Sequence, residues 1–291
     1  MGTLVAVTVH APGTGGVSRE ESIAAAAFDE MRRLEGILSE FDPSSDLASV
    51  NAAAGRRPVR VAPELLEVAE TALEVARVSG GAFDPTWRPL GEIWDFTGRT
   101  ARVPSWREVA ERLARVGYRD VLLDRHASTI ELRRPGMSLG LGGVAKAFVA
   151  ERAAQLAMSL GASGVLVDAG GDLVARGTNG ARPWRVAVRD PRMPGASLGS
   201  LELRDAALAT SADTERCFVA RGRRHHHLLD PRSGRPARGV RSASVLGPRG
   251  SEADALATAL FVLGPTEGAR LLSAFPGASA LWVPDGARPS S

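Results

Sequence analysis

Gly164-Val165-Leu166-Val167-Asp168-Ala169-Gly170-Gly171-Asp172, running on into Leu173-Val174-Ala175-Arg176, is the stretch that decides the fold class. An apolar β-branched run meets a Gly-Gly turn and then a second short apolar run, with no helix between them. Downstream, strands are expected near residues 184–189, 200–204, 216–220, 226–229 and 240–246. Strands that follow one another, rather than alternating with helices, favour an α+β fold over a doubly wound sheet. Ser251 opens a helix reaching about Leu263, a shorter helix follows, and Ser279-Ala280-Leu281-Trp282-Val283 reads as a last strand. Upstream, a helix is expected over 144–160 and strands around 119–123 and 129–133. Ser105 with Glu108 has the capping-box spacing, as does Ser18 with Glu21. The second pair precedes Ile23, Phe28, Met31, Leu34 and Leu38 at helical spacing. Another helix starts with Pro63 in its first turn and stops at Ser79-Gly80-Gly81, and residues 3–10 alternate as a strand.

Composition sets outer bounds. The 291 residues are 44% hydrophobic and 24% charged, which describes a globular chain of one large domain or two lobes sharing a site. The formal charge of +3 is small, and an aromatic content of 5% argues against stacking platforms for nucleic acid. Cys217 is the only cysteine, so no intrachain disulfide can form; its setting in Arg216-Cys217-Phe218-Val219 reads as a buried strand position. The N-terminus has neither the basic region nor the long apolar region of a signal peptide, and no window is apolar enough to span a membrane. The expectation is a cytoplasmic protein, or an exported one whose leader has been removed.

Of the 36 basic residues, every one except Lys146 is arginine. A compact ammonium is not interchangeable with a guanidinium fork, so the surviving lysine marks a place where the exchange is not tolerated, unless chance left it there. It closes the run Gly140-Leu141-Gly142-Gly143-Val144-Ala145-Lys146, which has neither the P-loop pattern nor the dinucleotide fingerprint. What remains is generic: small residues let backbone N–H groups approach an anion, and a helix N-terminus follows. Asp254 and Thr258 stand four apart on one helix face, where they could offer oxygens to a hard cation, or Asp254 could simply cap its own helix. His225-His226-His227 holds three of the five histidines; His227, at a strand end, is open to a catalytic or a structural reading. Gly81-Ala82-Phe83-Asp84-Pro85-Thr86 and Asp42-Pro43-Ser44-Ser45-Asp46 with Asn51 read by themselves as loop punctuation and a helix cap.

Taken together and in this order, these segments resemble the ApbE-type FAD:protein FMN transferases. The resemblance begins at Met1-Gly2-Thr3 and passes through Phe41 to Asn51, Gly81 to Thr86, Leu141 to Lys146, Asp168 to Asp172 and Ser211. It closes with His227 to Gly234 and Ala253 to Thr258. It implies an α+β fold of mixed or antiparallel sheets with flanking helices, in two lobes around a nucleotide cleft. One domain would span 1–284, with 285–291 a disordered tail. The activity implied is Mg²⁺-dependent transfer of the FMN moiety of FAD to a threonine or serine hydroxyl of a flavoprotein, with AMP released. The metal would lie on Asp254, Thr258 and the carbonyl of Gly143. FAD would touch Met1, Phe41, Ala82, Phe83, Asp84, Gly140, Lys146 and Leu228, and His227 would help remove the acceptor's proton. Relatives often carry Asp where this chain has Gly140, Lys-Gly-Tyr where it has Lys146-Ala147-Phe148, and Asp where it has Glu151. Two other activities would use the same residues: an Mg²⁺-dependent FAD pyrophosphatase with water as acceptor, or an FAD carrier without turnover.

Overall fold

The computed structural model describes residues 3–13, 16–96 and 102–286. In chain order the first half contains β1 (Val5–His10), α1 (Gly16–Leu38), α2 (Asp46–Ala52), β2 (Val59–Arg60), α3 (Pro63–Val78), α4 (Arg88–Gly91), α5 (Trp106–Leu113), β3 (Val121–Asp124), β4 (Thr129–Leu132) and α6 (Ala145–Ser159). The second half is β5 (Gly164–Ala169), β6 (Asp172–Gly177), β7 (Trp184–Arg189), β8 (Ser197–Leu203), β9 (Ala206–Ala212), β10 (Cys217–Ala220), β11 (Arg223–His226), β12 (Leu229–Asp230), β13 (Arg235–Pro236), β14 (Val240–Gly247), α7 (Gly250–Leu272) and β15 (Ser279–Pro284).

The Gly-Gly stretch forms a hairpin. Ala169 pairs with Asp172, and Gly170 and Gly171 both take positive φ, 72° and 98°, as a two-residue turn with right-handed flanking strands requires. The Asp168 carboxylate accepts the Gly171 N–H at 2.7 Å and locks the turn. This hairpin lies in a six-stranded sheet of order β1-β5-β6-β9-β14-β15, in which every described pairing is antiparallel. The α+β reading therefore holds, with antiparallel rather than mixed sheets.

Helices α1, α6 and α7 pack on one face of the sheet and form the main core. In α1 the buried positions Ile23, Ala27, Met31, Leu34 and Leu38 fall three or four apart, one stripe of a helix. The α6 interface is mostly alanine (Ala147, Ala150, Ala153, Ala154 and Ala157), so it lies close against its neighbours. The opposite face is covered by the β7–β8 hairpin, whose first strand alternates strictly and turns Trp184, Val186 and Val188 onto Ala175 and Leu208.

Three local expectations change. The first helix begins at Gly16, so Ser18 and Glu21 lie inside it rather than at its cap. β9 was not anticipated: Ala206-Ala207-Leu208-Ala209-Thr210-Ser211-Ala212 has little β-branched or aromatic content, and its place between β6 and β14 makes it a strand. The helix and shorter helix expected after Ser251 are one element, α7, broken at Gly264 (φ 71°, ψ −180°) before Pro265. The Ser105–Glu108 capping box forms as expected. Met1 and the last five residues lie outside the described residues.

Candidate active site around Lys146

Lys146 lies in the first turn of α6. Its ammonium is 2.6 Å from a carboxylate oxygen of Asp172 and 3.2 Å from one of Asp254. Asp172 is the first residue of β6, carried there by the Gly-Gly turn, and it also accepts the Thr210 N–H at 3.2 Å. Asp254 reaches over from α7. Both aspartates are buried, and Lys146 is half-buried between them. Two carboxylates against one ammonium leave an excess of negative charge where water screens little. Burial and then the Asp172 charge push the Asp254 carboxyl up to about 7, against the pull of Lys146. For Lys146, burial works against the charge, but Asp254 and Asp172 outweigh it and hold the ammonium above the ordinary lysine value.

Asp254 is not a cap for its own helix. It is the fifth residue of α7, and its carboxylate accepts the backbone N–H of Ala147 in the first turn of α6, whose N-cap Val144 supplies no side-chain acceptor. One turn along α7, the Thr258 hydroxyl lies 3.1 Å from that of Ser211 on β9. Gly143 is packed against the same spot: a Cβ there would be 3.3 Å from the Thr258 hydroxyl and 3.4 Å from the Phe83 ring. Lys146, Asp172, Ser211, Asp254, Thr258, Gly143 and Phe83 thus converge from five separate segments.

The loop leading into Lys146 is held rigidly. The Asn51 amide clamps Leu139, accepting its N–H at 2.7 Å and donating to its carbonyl at 3.0 Å. Gly140 donates to the Pro85 carbonyl at 2.7 Å, and the Trp87 indole donates to the Gly140 carbonyl at 3.1 Å. A Cβ at 140 would stand 2.8 Å from that indole nitrogen, so Trp87 fills the space an aspartate would need. Leu141 and Gly142 donate their N–H groups to Glu40, which Arg88 approaches to 3.3 Å; burial raises the Glu40 carboxyl in spite of these partners. The N–H groups read from the sequence as open to an external anion are, at these positions, met by the protein's own carboxylates. Asn51 reads from the sequence as part of a helix cap and Asp172 as part of a turn, and nothing there singles out Glu40 or Trp87, because local spacing does not announce contacts between distant segments.

The remaining candidates take no part in these hydrogen bonds and ion pairs of Lys146, Asp172 and Asp254. His227 follows the β10–β11 hairpin, donates its backbone N–H to the Arg216 carbonyl at 3.0 Å, and keeps a buried Nδ1 with no partner among the described residues. Burial, then the charges of Arg216 and Lys146, lowers its ring to about 4, so it is neutral at pH 7. His226 and His225 point elsewhere: His226 is buried against Phe261 and bonded to the Ala237 carbonyl at 3.0 Å, and His225 stacks between Trp94 and Phe218. Leu228 is buried, while Phe41 is 85% exposed in the loop beside Glu40. Ala82 and Asp84 are buried, and the Asp84 carboxylate is committed to Thr86 and the Tyr118 N–H. Cys217 is half-buried on β10, not fully enclosed as its strand context suggested. Among the described residues no group of three or more His, Cys, Asp and Glu is arranged to hold a metal, and no helix is long and apolar enough to cross a membrane.

Several known proteins are similar to this chain over most of its length. The FAD:protein FMN transferase of Treponema pallidum (strain Nichols) is 36% identical, covering 97% of this chain and 82% of that protein. One from Klebsiella pneumoniae (strain 342) is 30% identical, covering 91% and 83%. The crystal structure of the ApbE protein of Thermotoga maritima superposes with a TM-score of 0.85 at 35% identity, covering 97% of this chain and 92% of that one. The apo flavinyl transferase ApbE of Pseudomonas stutzeri gives 0.84 at 28% identity, covering 97% and 88%. The ApbE family model matches residues 1–282, and the chain belongs to the ApbE family.

Proposed function

We propose that this chain is an FAD:protein FMN transferase that moves the FMN moiety of FAD to a serine or threonine hydroxyl of a flavoprotein and releases AMP. The observation that carries this reading is the buried Asp172–Lys146–Asp254 cluster beside Thr258 and Gly143, in a chain related over nearly its whole length to named transferases. The donor set suits a hard divalent cation: excess buried carboxylate, two hydroxyls and a backbone carbonyl are all oxygen ligands. Asp254, Thr258 and the Gly143 carbonyl would hold Mg²⁺, with Asp172 and Ser211 behind them. When bound, the ion would offset the charge of the pyrophosphate.

The chain's own residues supply the rest. Lys146, released from one aspartate, is placed to hold phosphate oxygens. His227, neutral at working pH, takes the proton of the acceptor hydroxyl on its ring nitrogen. The hydroxyl oxygen bonds to the FMN phosphorus, the phosphoanhydride bond breaks, and AMP leaves with its bridging oxygen. Phe41 is free to cover a flavin ring, and Phe83 lines the floor beside Gly143.

Incubation with FAD, Mg²⁺ and a flavoprotein acceptor tests the activity. AMP release matched by an FMN-sized mass gain on the acceptor is expected. Rapid multiple turnover to free FMN without acceptor would make it a pyrophosphatase, and unchanged FAD would make it a carrier.

A further inference from the structure

Of the two helices that bring Lys146 and Asp254 together, neither is capped by its own N-cap side chain. Val144 before α6 and Arg249 before α7 offer no acceptor to the N–H groups that follow. Each helix instead receives an acid from the other. The Asp254 carboxylate of α7 accepts the Ala147 N–H of α6, and the Glu151 carboxylate of α6 accepts the Gly250 N–H, the first of α7, at 2.9 Å. The exchange is symmetrical, since Glu151 stands four residues after Ala147 and Asp254 four after Gly250. The backbones meet at the same two residues: a Cβ on Gly250 would lie 2.9 Å from the Ala147 carbonyl oxygen and 3.2 Å from the Val174 side chain. Glu151 also pairs with Arg176 of β6, and the two side chains are only 13% and 14% exposed. Arg176 donates on to the Pro248 carbonyl at 3.4 Å, just ahead of α7. Asp172, which faces Lys146, is the first residue of that same strand.

We propose that Glu151 is a positioning residue: with Arg176 it fixes α7 along α6 and β6, and so sets Asp254 and Thr258 against Lys146, Asp172 and the Gly143 carbonyl. Asp254 alone is a poor tie between the helices. Its carboxylate serves Lys146 and the Ala147 N–H already, and turning toward a cation loosens its hold on both. Glu151 faces no such demand, and an acid at a helix N-terminus gains from the aligned peptide dipoles. The tolerance is narrow. Metal ligands must be held to about 0.5 Å, and a slip of α7 by one residue's rise, about 1.5 Å, exceeds that. The link to Mg²⁺ rests on the transferase reading; the exchanged caps do not.

The test is calorimetric titration of Mg²⁺ into the full chain without FAD, beside AMP release from FAD at rising Mg²⁺. Glu151→Gln keeps an oxygen for the Gly250 N–H but loses the charge that holds Arg176. It should weaken Mg²⁺ binding by ~10-fold and raise the Mg²⁺ needed for half-maximal AMP release equally, leaving the rate at saturating Mg²⁺ within about twofold of wild type. Gly250→Ala alters no charge but forces α7 off the Ala147 carbonyl, and should give the same pattern. Ser105→Ala, which removes the cap of α5, is the control: it should lower the melting temperature and leave Mg²⁺ binding unchanged. Should either site variant fail to fold, Arg176→Lys, which keeps the charge but not the guanidinium fork, should still weaken Mg²⁺ binding severalfold. A melting temperature that falls with Mg²⁺ binding at the wild-type value would overturn the role. So would a loss of rate at saturating Mg²⁺ with an unchanged Mg²⁺ requirement, or no Mg²⁺ binding by the wild type. The expected Mg²⁺ pattern without any FMN attachment would sink the transferase reading and leave the positioning role standing.

Discussion

Helix α6 borders two clusters of charge that behave in opposite ways. Along its middle, Glu151, Arg152 and Gln155 join Glu67, Glu70, Glu74, Arg125 and Arg249 around a cleft of ≈ 330 Å³. At its N-terminus, Lys146 meets only Asp172 and Asp254. The cleft holds more charges, yet they are paired and wet: Arg152 pairs with Glu67 and Arg125 with Glu70, with much of these side chains exposed. Exposed pairs of this kind contribute little. The Asp172 and Asp254 side chains are each 5% exposed and outnumber their one cation. Burial and imbalance, rather than cavity size or number of charges, distinguish the place that has something left to bind.

That contrast can be broken experimentally. Asp254→Asn should lower Mg²⁺-dependent AMP release from FAD by ~10³-fold. It should unfold no more easily than wild type at pH 8 in a thermal melt, since an ionised Asp254 is held above its ordinary pKa and burdens the fold at that pH. Equal losses of activity and melting temperature would make Asp254 a structural residue.

Next in size is an effect of pH. Unfolded His226 titrates near 6.5 and the buried ring near 4, so the unfolded chain binds the extra proton between these values. Stability is complete above pH 6.5 and falls as pH drops toward 4, by about 3 kcal/mol from this ring. Urea midpoints across that range should show the loss, and His226→Phe should flatten it.

His227→Ala should slow flavin transfer by about 100-fold while leaving FAD binding intact. A drop in FAD affinity with unchanged turnover would move His227 from proton acceptor to ligand contact. Lys146→Arg keeps the charge but not the compact ammonium, and should raise the FAD concentration needed for half-maximal rate by about tenfold. No change would return the lone lysine to chance. The smallest effect belongs to the cleft: Glu67→Gln should shift stability by less than about 0.5 kcal/mol and leave AMP release alone. A large effect there would erase the distinction between the clusters.

Much of the scaffold was readable in advance because its signals are local. Pro63 and the Ser79-Gly80-Gly81 stop bounded α3, Ser105 and Glu108 opened α5, and alternation marked β7 from Trp184 to Arg189. The signals that failed are those that neighbours in space must supply. β9 has the composition of a loop or helix and becomes a strand by lying between β6 and β14. Gly140 reads as a lost side chain until Trp87 is found occupying its space. Asp254 reads as a cap for α7 and instead caps α6.

The sequence by itself determined that Lys146 is singular, that it opens a helix after a run of glycines, and that Asp254 and Thr258 share a helix face. These follow from composition and from a fixed helical period, which need no partner. Only the tertiary structure decided that Asp172 and Asp254 close on Lys146 from either side, that Asn51 and Trp87 fix the loop before it, and that Glu40 meets the N–H groups meant for an anion. Each of these is a contact between distant segments, set by how the sheet and three helices share one core.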